Sequence, residues 1–198
     1  MKKFIAISAL ACIIFLSACS GDSKKIIVWA SGKVSVNGST VTLDPGNSHT
    51  TLEIPFTGEK LTVKSPDGDV ELPVPAGGVY ILNLKKDTVV GSFVRVGEGI
   101  GETKISKEQL RQRIDSLNQL MAGTNVNATA KNFNIPPKKL TKITDNQRAE
   151  IIGPYLKTPT TFEGGVEHEI YKFYTNKEVI EIVNRLKPLS EEPAPSDN

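Results

Sequence analysis

Histidine, whose unperturbed charge changes near neutral pH, occurs twice, at His49 and His168. His168 stands within Glu167-His168-Glu169, three metal-ligating residue types in a row. Neighbours in an extended strand point to opposite faces, so the triplet does not converge on one ion. His49 lies in a separate turn, and no metal site is expected. Ser48 and His49 put a hydroxyl beside an imidazole, but the glycine-flanked elbow that presents a nucleophilic serine is absent. The run Gly97-Glu98-Gly99-Ile100-Gly101-Glu102 follows a strand-like segment and precedes a helical one, the setting of a phosphate-binding turn. Glu102 stands where the third glycine is required, and Glu98 and Glu102 would repel a pyrophosphate from a helix N-terminus. The run therefore reads as a hinge. Asp and Glu total 22, so a carboxylate pair for glycoside hydrolysis stays open. No local spacing selects one, and no catalytic residue or cofactor is assigned.

The chain has 2 cysteines, Cys12 and Cys19. Lys2 and Lys3 precede an apolar run from Phe4 to Leu16, shorter than the ~20 residues a membrane-spanning helix needs. The run has the length and flanks of a signal-peptide core. It ends in Leu16-Ser17-Ala18-Cys19, which resembles the lipobox of bacterial lipoproteins. The resemblance implies a leader over 1–18, cleavage between Ala18 and Cys19, and lipid on the Cys19 thiol. It also implies a cell-envelope location on a membrane. Ser20 after the cysteine resembles the default signal for outer-membrane sorting in a Gram-negative host. Each buried lipid methylene contributes about 0.8 kcal/mol, so several acyl chains make a lasting anchor. On this reading Cys12 is discarded and the body has no disulfide, thiolate nucleophile or cysteine metal site. The whole chain carries 24 Lys+Arg against 22 Asp+Glu, and loss of Lys2 and Lys3 leaves 24 − 2 = 22 against 22. A balanced body argues against nucleic acid as a partner.

The elements that must position any site begin after a short tether, 19–24. From about 25 to 96 apolar and polar residues alternate, as at Leu52, Ile54 and Phe56, and again at Val70, Leu72 and Val74. A period of two marks strands with one buried face. Turn residues fall between the runs, in "NGS", "DPGN", "TGE", "PDGD" and "PAGG". Seven or eight short strands are expected, forming a mainly β, antiparallel sandwich. The segment "LPVPAGGVYILNL" (72–84) resembles the strand entry of prealbumin-like sandwich modules.

Behind the hinge (97–104) the period becomes helical, and a small α+β module with two helices is expected over 105–187. Ser106 and Gln109 fit a capping box, with Leu110, Ile114, Leu117 and Met121 on one stripe and Gly123 as the stop. Two β-like runs, "KKLTKIT" and "AEIIGPYL", flank "DNQ" and read as a hairpin, with "EIYKFY" as a third strand. Thr175 and Glu178 form a second capping box ahead of Val179, Ile182, Val183 and Leu186. Residues 188–198 read as a disordered, charged tail.

The stretch 116–144 has no acidic residue but holds Lys131, Lys138, Lys139 and Lys142. Aromatics concentrate in the same half, among them Tyr171 and Tyr174. A basic surface beside aromatics fits an envelope protein, an anionic polymer or lipid headgroups. As a core of aromatics under a solvated lysine face, the same residues need no partner. The sequence thus favours a non-catalytic, membrane-anchored binding or assembly module. The alternative is an envelope hydrolase acting on glycan or peptidoglycan.

Overall fold

The structure is a computed structural model that describes residues 23–94, 106–127, 129–157 and 169–191. The leader, the lipobox with Ala18 and Cys19, the 97–104 hinge and Glu167-His168 lie outside the described residues. Six strands come from the first segment: β1 (Lys24–Asn37), β2 (Thr40–Phe56), β3 (Lys60–Lys64), β4 (Val70–Pro73), β5 (Gly78–Leu84) and β6 (Val89–Val94). Helix α1 (Lys107–Ala122) follows, then β7 (Asn132–Ile135), β8 (Lys139–Thr144), β9 (Glu150–Ile152), β10 (Ile170–Thr175) and helix α2 (Asn176–Glu191). The chain is mainly β, in two sheets, with two helices among the described residues. No helix among them is long and apolar enough to cross a membrane.

β1 is the centre of the fold. Its run "IIVWA" is apolar on both faces because both faces are covered. Ile26, Val28 and Ala30 point into one core cluster, and Ile27 and Trp29 into another. β1 pairs antiparallel with β2 and parallel with β5, inside a six-stranded sheet of order β4-β3-β2-β1-β5-β8.

The long β1–β2 hairpin is broken by one irregularity. Ser31 faces His49 but Gly32 faces Pro45, leaving Gly46, Asn47 and Ser48 without partners in β1. An insertion of this kind bends its strand and sharpens the local twist. Gly32 holds a φ of +127°, and a Cβ there would lie 2.1 Å from the Asp44 carbonyl oxygen. Only glycine fits. Beyond the bend, Val41 of β2 and Leu61 and Val63 of β3 join the same buried cluster as Ile26, Val28 and Leu82. The sheet therefore curls back over its own apolar face. "DPGN", expected as a turn, is part of this bulge, and "IIVWA" and "KVSV" are one strand through Gly32. That is why the strands are fewer and longer than the turn residues indicated.

The second sheet has the order β7-β6-β10-β9. It packs on the outer face of the first through Trp29, Val79, Ile81, Val89, Ile135, Tyr171 and Phe173. Its far side is covered by the helices, where Val90 meets Ile114, Leu120, Val179 and Val183. The layers are thus the curled sheet, the second sheet and the helix pair. Both helix caps form as expected. The Ser106 oxygen accepts from the Gln109 N–H at 3.2 Å, and the Gln109 side chain accepts from the Ser106 N–H at 2.8 Å. Glu178 accepts from the Thr175 N–H at 2.8 Å, and Thr175 Oγ1 accepts in return from the Glu178 N–H at 3.2 Å.

Several local expectations are corrected. The sheets are mixed, since β1·β5, β2·β3 and β9·β10 are parallel. "KKLTKIT" and "AEIIGPYL" do not form a hairpin, because β8 pairs with β5 in one sheet and β9 with β10 in the other. β6 precedes the hinge yet pairs with β7 and β10, and β8 follows it yet extends the first sheet. The segments on either side of 97–104 therefore share sheets and a core. Lys24, assigned to the tether, is the first residue of β1 and is buried, its ammonium donating to the Gly58 carbonyl at 2.9 Å. Helix α2 continues through Pro188 to Glu191, into the stretch assigned to the tail.

Candidate functional site

Lys139 and Lys142 lie on β8, the edge strand of the curled sheet, and Lys138 immediately precedes it. Lysines on an edge strand discourage pairing with another chain, which accounts for this row without a ligand. Lys138 donates to Asp67 at 3.0 Å and Lys142 to Asp145 at 2.5 Å. Lys131 precedes β7 and donates to Glu169 at 2.8 Å.

Tyr171 is 1% exposed and its hydroxyl donates to Glu169 at 2.5 Å. Tyr174 is half-buried against the helices, with the Lys172 ammonium 4.6 Å from its ring centre. The structure thus separates the six residues grouped by sequence. The lysines face outward, and Tyr171 belongs to the core, because alternate residues of β10 face the opposing sheet.

Among the described residues no cluster of three or more His, Cys, Asp or Glu side chains is placed to hold a metal. Glu178 and Glu181 line one hollow with Lys172, Tyr174 and Arg185. Glu178 is committed to structure there, accepting from the Tyr155 N–H at 2.7 Å as well as capping α2.

A different constellation forms where the β1–β2 bulge meets the β5–β6 turn. Asn83, fully buried in β5, shapes that turn. Its amide donates to the Asp87 and Ile135 carbonyls at 2.9 and 2.8 Å, and its oxygen accepts from the Lys85 N–H at 3.0 Å. The turn carries Lys85 inward and leaves Lys86 exposed. The Lys85 ammonium lies 3.2 Å from His49 Nδ1 and 5.5 Å from the Tyr155 ring centre. An ammonium can only donate, so a charged Lys85 requires His49 Nδ1 as the acceptor. Burial pushes the Lys85 pKa down, against the opposing pull of Glu178 and Asp87.

Tyr155 closes this group. Its ring stacks on His49 at 4.6 Å between centroids, and its hydroxyl is 3.4 Å from Thr175 Oγ1. Its backbone has a φ of +65°, an outlier for a bulky residue. Two supports hold it there. One is the Glu178 bond to its N–H. The other is the Lys172 ammonium, which donates to the flanking Gly153 and Leu156 carbonyls at 2.8 and 2.6 Å. Burial lowers the Lys172 pKa, and Glu178 opposes that shift.

Two hollows meet at this place. One, of about 190 Å³, is lined mostly by polar residues, Asn47, His49, Lys85, Asp87, Tyr155 and Thr175 among them. The other, of about 250 Å³, opens at the mouth of the curled sheet between Leu43, Pro45, Val63, Leu84 and Pro137. Ser31, Lys85 and Lys86 line both. A polar chamber with a buried cation therefore adjoins an apolar slot.

The sequence places His49 in a separate turn and carries nothing that singles out Lys85. His49 and Lys85 are 36 positions apart, and their meeting depends on the bulge and on β1 lying between β2 and β5. The available signal was the glycine and proline within a β-rich run, which marks a bulge as readily as a turn. No family model, curated protein or solved structure shows significant similarity to this chain.

Proposed function

We propose that this chain is a non-catalytic binding module of the cell envelope, held on a membrane through lipid on Cys19 and binding through the bulge cleft. One observation carries the choice of site. Lys85 is a buried cation whose hydrogen-bond partner is the His49 imidazole rather than a carboxylate, and it lines both hollows. Burying a charge with no carboxylate in hydrogen-bonding contact is costly even where Glu178 and Asp87 act from a distance, and such groups concentrate at functional sites. The lining offers a cation with donors to spare, apolar surface beside it, and carboxylates in separate hollows, Asp87 in the chamber and Asp67 at the slot, rather than as a pair. That is the chemistry of holding a ligand. The edge lysines Lys138, Lys139 and Lys142 offer a second surface, suited to a peripheral contact with anionic envelope material.

Expression with the native leader and an alkyne fatty acid tests the anchor. Wild type should take up label and sediment with membranes, and Cys19→Ser should do neither. A photoreactive residue at Lys86 or Lys139 then tests the site in intact envelopes. Adducts at 86 and few at 139 are expected. Adducts at 139 alone would move binding to the edge strand, and none at either position would end the binding reading.

A further inference from the structure

The geometry points to a specific ligand class: we propose that the cleft binds a small amphipathic carboxylate, its head beside Lys85 and His49 and its alkyl tail in the slot between Leu43, Val63, Leu84 and Pro137. This rests on the binding-module reading and names the ligand for it.

The head-group end is set by charge. An ammonium has three donors, and Lys85 directs one at His49. The remaining donors and the exposed Lys86 make the chamber cationic at one end, two ammonium groups against the one carboxylate of Asp87. A carboxylate placed there compensates Lys85 for its lost hydration, which is the larger part of what burial costs it. The ring of Tyr155, over which the ammonium already lies, closes one side.

The tail end is set by surface type. Leu43, Pro45, Val63 and Leu84 present carbon to the slot, and Pro137 lies on its exposed rim. The slot, about 250 Å³ between two folded-back halves of one sheet, has these apolar walls, with Ser65 and the Lys138–Asp67 ion pair also lining it, the mix of mostly apolar surface and placed polar groups of a small-molecule site. An inorganic anion would leave this slot unfilled, and an uncharged alkane would leave Lys85 uncompensated. Both halves of an amphiphile are needed to use both hollows.

The full chain in nanodiscs of zwitterionic lipid is titrated with carboxyl-labelled octanoate, followed by carbon NMR, with empty discs as background. Octanoate should bind saturably, and octanol and acetate at least tenfold more weakly. Lys85→Met should weaken octanoate at least tenfold. Leu43→Glu should do the same, with Pro137→Glu as a second variant because its rim position leaves the core intact. Acetate binding as tightly as octanoate would remove the tail from the proposal, and octanol binding as tightly would remove the head. Octanoate binding that Lys85→Met leaves unchanged would overturn the site. No binding above empty discs would overturn the ligand class. In that event the wider binding reading is judged separately by adducts at position 86.

Discussion

The Lys131 ammonium and the Glu169 carboxylate meet at 2.8 Å and join the approach to β7 to the start of β10. Tyr171 donates to the same carboxylate, Thr144 donates at 3.2 Å, and Lys131 lies 4.6 Å from the centre of the Phe93 ring. One carboxylate thus pins the ends of strands from both sheets.

Burial raises the Glu169 carboxyl, but hydrogen bonds from Lys131 and Tyr171 outweigh it and hold the group at about 2. The folded-state value is below the ordinary 4.5. Its stabilisation is therefore complete above that value and is lost as pH falls toward about 2. A lowering of this size is nominally about 3.4 kcal/mol, and the half-exposed Lys131 partner screens it to about 2–3 kcal/mol. Glu169→Gln should be less stable than wild type by about that amount near neutral pH, and the difference should close in acid. Urea unfolding across the acid range checks this, and an unchanged difference at about pH 2 would count against it.

Gly32 and Gly38 both have positive φ, but only Gly32 is hemmed in by backbone. Gly32→Ala should cost more than ~3 kcal/mol, because neither the Asp44 carbonyl nor the Gly46 amide can move without undoing the bulge. Gly38→Ala, with open space around it, should cost about 1 kcal/mol. Thermal unfolding of the two variants compares them directly, and equal losses would mean that the bulge is not tightly specified.

Asn83→Ala removes three hydrogen bonds at a fully buried position. Leaving the Ile135 and Asp87 carbonyls and the Lys85 amide unpaired should cost about 2–4 kcal/mol. Hydrogen exchange at the Lys85 amide should quicken before global unfolding. Unaltered exchange there would show that the β5–β6 turn is held by something else.

Lys172→Met leaves the Gly153 and Leu156 carbonyls without their shared donor, at a cost of about 1–3 kcal/mol. More telling is the ring stack it supports. His49 ring protons should lose the upfield shift that Tyr155 imposes and move toward exposed values. If they stay in place, the Glu178 bond alone fixes Tyr155.

Local chemistry was readable from the sequence wherever the partners lie within a few residues. The capping boxes at Ser106 and Thr175 and the stop at Gly123 are contacts across one turn, and the structure reproduces them; the apolar stripes recur in part, with Ile114, Leu117, Met121, Val179, Val183 and Leu186 in the core and Leu120 joining them in place of Leu110. The β character of the first segment was equally plain, since side-chain alternation follows from strand geometry itself. Which strand lies beside which was not, because pairing is chosen by cores that form only when distant segments meet. The continuous run "IIVWA" fits any strand covered on both faces, and nothing in it names β2 and β5 as neighbours. The aromatics of β10 fitted either a core under solvated lysines or a partner surface, because sequence position carries no depth. Tyr171 is buried because the second sheet turns that face toward Trp29 and Ile81. The cleft is the extreme case: His49, Lys85, Tyr155 and Thr175 have no shared pattern, and only the bend at Gly32 and the fold-back of the sheet bring them to one place.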